Sequence, residues 1–263
     1  MFLSSKPLIT CQKQPEGRMY MTTARIISNK LAKICLPKGF VRKGNAFFRI
    51  QGDGILQVIK PDKIRYYSEF NISIGLFSMY SKLLPQWFSS GGCIPKYEVV
   101  NFIGLQSAVY MESLGGDRYT TGIITMEQQL ELFQSLVLPF LDAILSQEQL
   151  AEGICELDRK QCGTVVWRDN LKLEPYLCCG NYDLAHKVAL SIQQQYEWAA
   201  KSNCERLGEE EFMKMMEDRK EFDEEYIFKP LRVAFSGDSH IIKAYLRSNY
   251  EKNCRYARFI LKP

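Results

Sequence analysis

The chain has 263 residues, 46% hydrophobic and 24% charged, with a formal net charge of +4. That apolar content supports a packed core and excludes an intrinsically disordered chain, and no apolar run approaches the roughly 18 residues that a membrane-spanning helix needs. The nine cysteines are odd in number and irregularly spaced, and no apolar export segment with a cleavage site precedes them, so free thiols in a reducing, cytoplasmic setting are the expectation.

The charge is uneven. Residues 1 to 65 hold 13 Lys/Arg against 3 Asp/Glu and residues 229 to 263 hold 8 against 2, whereas residues 205 to 228 hold 4 against 10. Such asymmetry either attracts an anionic partner or pairs the basic ends with the acidic middle inside one fold. The sequence pI of ≈ 8.5 lies below the value above about 9 usual for nucleic-acid-binding domains, which favours internal pairing.

Residues 1 to 20 lack the periodicity of the segment beginning at Thr22, and Glu16-Gly17-Arg18 can be encoded by a purine-rich run just ahead of Met19 and Met21. The expectation is a native start at Met21, with the preceding segment disordered or untranslated. From Thr22, the apolar positions Ala24, Ile27, Leu31, Ile34 and Cys35 form one helical stripe that Pro37 and Gly39 end. Ala46 to Gln51 and Ile55 to Lys60 read as strands joined by Gly52-Asp53-Gly54, whose glycines can take the positive φ of a three-residue hairpin loop.

Glu69 to Phe77 alternates Phe70, Ile72, Ile74 and Leu76 against Glu69, Asn71 and Ser73. Period two predicts a strand with one buried and one wet face. Residues 82 to 92 read as a long loop, Glu98 to Gly104 as a strand and Tyr119 to Ile124 as a final one.

The texture then changes to period three and four. Thr125 with Gln128 and Ser146 with Gln149 each make a capping-box pattern. Leu130, Phe133, Val137, Leu141 and Ile144 form a stripe that Pro139 should kink or break, and a second helix should run to about Arg159. From Leu173 two helical pieces hinge at Gly180, with Leu184, Val188 and Ile192 on one face of the longer piece. Residues 209 to 228 predict a charged helix with Phe212, Met215, Met216, Phe222 and Tyr226 toward the core, exposed pairs Glu210–Lys214 and Lys220–Glu224, and a stop at Pro230. A last helix is expected from Ser239 to about Tyr250.

No catalytic or metal signature is found. His186 and His240 show no HxxxH, HExxH or HxD spacing, and neither Cys178-Cys179 nor Cys155 with Cys162 matches a zinc knuckle. The carboxylates Glu210, Glu217, Glu221 and Glu225 alternate with Lys and Arg, the mark of a solvated face, not of a hard-cation site. No catalytic residue, metal or cofactor is therefore assigned. The most distinctive string is Gly39 to Arg49, where Arg42, Lys43 and Arg49 could hold phosphates while Phe47 and Phe48 stack bases. The competing reading is a turn at Gly44-Asn45 with the aromatics straddling a sheet. Arg42, Lys43, Asn45 and Arg49 are the candidate anion- or partner-binding residues, and Trp87 and Phe88 the candidate exposed aromatic contact.

The helix ending in LxPKGF, the VRKGNAFFR strand entry, the hairpin through ILQVIK and the FNISIGLF strand together resemble the domain-of-unknown-function family 4304 of bacterial proteins, over about residues 22 to 145. The resemblance rests on Gly39, Phe40, Lys43, Gly44, Asn45, Phe48, Arg49 and the spacing to Phe70 and Ile72. It implies an α+β fold in a cytoplasmic bacterial protein and no activity.

These readings predict an α+β fold. An antiparallel sheet of four or five strands is covered on one face by helices 22 to 36 and 126 to 145, with a helical C-terminal half packed against it. Residues 21 to 263 form a single compact domain, with a sheet-bearing half to 145 and a helical half from 146. The expected function is a non-catalytic binding or interaction protein, of immunity or accessory type. Its partner is expected to be a protein ahead of nucleic acid, with no membrane. The alternative is a nucleotide- or nucleic-acid-acting enzyme or binder using residues 42 to 49.

Overall fold

The computed structural model describes residues 23 to 63, 70 to 82, 102 to 104, 127, 130 to 131, 133 to 159 and 168 to 258. The expected strand at 119 to 124, the loop from 83, the capping pair Thr125 and Gln128, and Trp87 and Phe88 lie outside these residues.

Helix α1, Thr23–Cys35, buries Ile27, Leu31 and Cys35, the stripe legible in the sequence. A short 3-10 turn, Leu36–Lys38, carries Pro37 near its start and ends at Gly39 with φ 81, where a side chain would be strained. Five strands come next among the described residues: β1 Val41–Lys43, β2 Ala46–Gln51, β3 Ile55–Lys63, β4 Phe70–Ser78 and β5 Phe102–Gly104. They form an antiparallel meander in chain order. Lys43 pairs with Ala46, so Gly44-Asn45 is a two-residue hairpin turn.

Register sorts the side chains. Phe47 opposes Ile59, which opposes Ile74, and Phe48 opposes Val58 one position along. The first set packs beneath α1 and beneath Leu130, Phe133, Leu141 and Ile144. The second face was expected to be wet, and here the structure differs. Ala46, Phe48, Leu56, Val58 and Phe77 are buried with Met79 and Ala257, and Tyr250 and Cys254 flank them. On β2 and β3 this second face carries Ala46, Phe48, Leu56 and Val58, and the end of the helix that finishes at Tyr256 covers it.

The kink expected at Pro139 takes the form of a five-residue π-helical turn, Phe133–Val137, leading into α2, Leu138–Ala143, with the proline in its first turn. Helix α3, Gln147–Arg159, opens on the predicted capping box: Ser146 Oγ accepts from Gln149 N at 3.2 Å, and Ser146 N donates back to Gln149 Oε1 at 3.1 Å.

The C-terminal half comprises α4 Arg168–Cys178, α5 Tyr182–Leu207, α6 Glu209–Asp223, a second π-helical turn Glu224–Phe228, α7 Lys229–Ser236 and α8 Ser239–Tyr256. Gly180, with φ 72, separates α4 from α5 as expected. Pro230 does not stop the charged helix. The π turn absorbs it, Lys229 N–H reaching back five residues to Glu224 O, and the chain stays helical to Ser236. The last helix runs six residues beyond its expected end at Tyr250.

Candidate functional site

The basic strand entry proves to be part of the frame. Arg49, 8% exposed, lies on the sheet face beneath α2. Its Nε and Nη2 donate to Gln57 Oε1 at 3.0 and 2.6 Å, Nη1 donates to Lys38 O at 3.0 Å, and Nη2 meets Asp142 Oδ1 at 2.7 Å. The guanidinium also sits 4.3 Å over the Phe40 ring. Gln57 and Gln51 each donate to Leu141 O at 2.7 Å, so one polar cluster seals the C-terminal end of α2 onto the sheet. Burial pushes the Asp142 carboxyl upward, but hydrogen bonds from Arg49 and Lys38 outweigh it and hold the group below its usual range.

Arg49 thus has its donors committed internally, and a phosphate would have to displace the Asp142 carboxylate. Phe47 and Phe48 point to opposite faces, 0% and 4% exposed, leaving no ring for a base to stack on. Arg42 is exposed and bonds Gly44 O at 3.0 Å and Asn29 Oδ1 at 3.1 Å. Lys43 and Asn45 are exposed at the hairpin turn, where Asn45 O accepts from Ser28 Oγ. These four residues are sequence neighbours that the fold does not bring together as one anion site.

The basic ends and acidic middle pair internally at several points: Lys30 with Glu127, Lys38 and Arg49 with Asp142, Arg232 with Glu224, and Lys229 with Glu225.

A second polar cluster escaped the sequence reading. Glu174 on α4, 3% exposed, accepts from Tyr245 Oη of α8 at 2.9 Å and from the Lys82 backbone N–H. The Lys82 ammonium pairs with Glu225 on the second π turn. Beside them lies a cavity of about 10 Å³, lined by Lys82, Glu174, Tyr226 and apolar side chains, room for little more than one water. Burial raises Glu174 to about 7, more than the hydrogen bonds from Tyr245 and the backbone and the Lys82 charge lower it.

A carboxyl poised near neutrality can transfer protons, but this cavity admits no substrate beyond water. The cluster instead clasps the turn after β4 to three helices. Asn253 Nδ2 bonds Met79 O and Ser81 O at 2.7 and 2.8 Å, and Asn249 Nδ2 bonds Tyr80 O at 3.0 Å. The signal for Glu174 was a carboxylate set between Leu173 and Leu177, inside an apolar stripe.

The raised value fixes a sign. Between 4.5 and about 7 the native state binds more protons at Glu174 than the unfolded chain does, so its contribution to stability falls as pH rises through that window and is lowest above 7. At about 1.4 kcal/mol per unit, Glu174→Gln, which keeps an oxygen for Tyr245, is expected to stabilise the protein by about 3 kcal/mol at pH 8 and by under about 1 kcal/mol at pH 5. Urea unfolding of both proteins at the two pH values checks this. An equal difference at both would contradict a titrating Glu174.

The third feature is an arm. Helix α5 is 26 residues long, about 39 Å at 1.5 Å per residue. It buries Ala185, Ala189 and Ile192, and from 193 through 222, round the turn at Gly208 and along α6, no residue is buried. The core-facing set expected on α6 is not in a core: Phe212, Met215, Met216 and Tyr226 are half-buried and Phe222 is 39% exposed. Helix α6 packs chiefly on α5, and two helices alone cannot enclose a stripe. In place of Glu210–Lys214 and Lys220–Glu224, the pairs on this segment include Lys220–Glu217, Arg219–Asp223 and Glu224–Arg232, and Glu225 pairs with Lys82 and Lys229.

The outer side of α5 carries Trp198, 72% exposed, and Leu190, 42% exposed. Trp198 lies off the phase of Ala185, Ala189 and Ile192, the signal by which the sequence could have marked it. His186 and His240 are both exposed, and among the described residues no cluster of three His, Cys, Asp or Glu is placed to hold a metal ion. Among those residues, too, no helix is long and apolar enough to cross a membrane. Compared with protein-family models, with curated proteins and with solved structures, the chain matches none.

Proposed function

We propose that this is a non-catalytic interaction protein that binds a helical protein partner through the outer side of α5. The observation that carries the reading is Trp198, 72% exposed on a helical arm that buries nothing from 193 to 222. An indole held in water on a helix carries most of the apolar area that a binding hot spot uses, and it is pre-positioned by the helix. The partner is a helix because the exposed stripe is long and narrow, with apolar and charged residues at helical spacing.

The one-water cavity beside Glu174 supports binding over turnover. The internal commitment of Arg49 weighs against the nucleotide and nucleic-acid reading. The likeness of residues 22 to 145 to family 4304 is kept as a proposal resting on the Gly39 to Arg49 string, as is a cytoplasmic location resting on free thiols at Cys35, Cys155, Cys178, Cys179, Cys204 and Cys254.

The test places a photo-crosslinking residue at Leu190 on the full chain in its native cells, with Ile241, 49% exposed on α8, as the control position. The expected result is a discrete crosslinked protein at position 190, competed by excess unlabelled chain and lost with Trp198→Ser. Equal crosslinking at 241 would overturn the reading, as would a substrate turnover abolished by Glu174→Gln.

A further inference from the structure

Seven residues make the outer stripe of α5: Asp183, Lys187, Leu190, Gln194, Trp198, Lys201 and Glu205, all exposed. At 100° per residue they fall within one narrow sector of the helix. Asp169 of α4 holds one flank, bonding Ser191 and Gln195, and the edge contact of His186 with Phe235 of α7 holds the other. The stripe runs between these neighbours and is covered by neither. Among the described residues, Lys187, Gln194, Lys201 and Glu205 make no ion pair or side-chain hydrogen bond.

From Lys187 to Glu205 the order of charges along this stripe is self-complementary. These two residues stand 18 positions and so about 27 Å apart. When two such helices lie antiparallel about a two-fold axis at position 196, Lys187 of one meets Glu205 of the other, twice. Gln194 and Trp198 then exchange places across the axis, so each indole packs on the stem of a glutamine beside the other indole. Leu190 faces Ser202 and Lys201 faces Ser191, while Asp183 comes level with position 209, past the end of the facing helix at Leu207. A parallel pairing would set Lys187 against Lys187 and Glu205 against Glu205. The stripe therefore selects one orientation, the isologous one, which closes as a dimer and does not propagate.

We propose that the helix received by this surface is α5 of a second copy of the chain, giving an antiparallel arm-to-arm dimer centred on Trp198. The inference rests on the interaction reading above and names its partner. One helix pair of this length sits at the small end of protein interfaces, so the dimer is weak, with a dissociation constant on the order of micromolar to tens of micromolar.

Sedimentation velocity of the full chain under reducing conditions, from about 1 to about 300 µM, tests it. The expected result is a concentration-dependent monomer–dimer equilibrium. Trp198→Ser should weaken it about 30-fold, the loss of one central aromatic hot spot. Lys187→Glu should weaken it about tenfold through two repulsive pairs, and Lys187→Glu combined with Glu205→Lys should restore it. All these positions are exposed, so circular dichroism should show each variant folded. A wild type that stays monomeric throughout, a dimer indifferent to Trp198→Ser, or a double charge swap that fails to restore association would each overturn the proposal. A monomeric wild type whose position 190 still captures a different protein in the crosslinking experiment would refute the dimer and leave the interaction reading standing. No capture of any kind would refute both.

Discussion

Gly52→Ala is expected to destabilise the protein by about 3 to 5 kcal/mol, through backbone collision and not through the loss of any side chain. Gly52 has φ 52, and a Cβ there would lie 1.9 Å from Leu145 O, well inside contact distance. The collision partner is backbone and cannot rotate away. Asp53 N donates to that same Leu145 O at 2.8 Å and Gln147 Nε2 donates to Asp53 O, so moving the loop breaks the hinge between α2 and α3 as well. Gly44→Ala is the control. Gly44 has a similar φ of 60 with nothing within 4 Å, so only the left-handed backbone penalty of about 1 kcal/mol applies. Denaturant midpoints of the two variants separate close approach from conformational strain, and equal losses would show that the hairpin does not press on α2.

Arg49→Met should cost about 2 to 4 kcal/mol, because it removes a buried guanidinium and leaves buried polar atoms facing an apolar side chain. Gln57 Oε1 would lose two donors, Lys38 O one, and Asp142 its closest cation. Lys38→Met removes the other partner of Asp142, at 3.2 Å, but that ammonium is half exposed, and such pairs are worth about 1 kcal/mol or less. Unfolding free energies of both variants therefore rank the two cations. Parity between them would mean that Arg49 is solvated, and would reopen the basic strand entry as an anion site.

Much of the fold could be read along the chain because each signal was local. The α1 stripe, the loops at Gly44-Asn45 and Gly52-Asp53-Gly54, the Ser146 and Gln149 capping box and the hinge at Gly180 each depend on residues within a few positions of one another. The π turns were not legible, since proline marks a disturbance without saying whether the helix stops or widens. The candidate sites were read least well. Arg49 looked like a phosphate contact because its neighbours in sequence are basic, whereas its acceptors are Gln57 and Asp142, eight and 93 positions away. Glu174 drew no notice because its partner Tyr245 is 71 positions distant. Trp198 stood in plain view in a polar run, but only its place on the side of α5 turned away from α4, α6 and α7 tells an exposed indole from a core one.

The α+β class, the helical C-terminal half and the starts of most elements are legible along the chain, because apolar period, caps and glycine torsions act within a turn or two of the backbone. Tertiary packing alone sets the end of α8 over the second sheet face, makes the basic entry at Arg49 an internal clamp, and leaves 193 to 222 with no buried residue, touching the core at Tyr196. Those outcomes depend on which surfaces meet across long loops, and burial, desolvation and ion pairing are set by that meeting and not by neighbours in the chain.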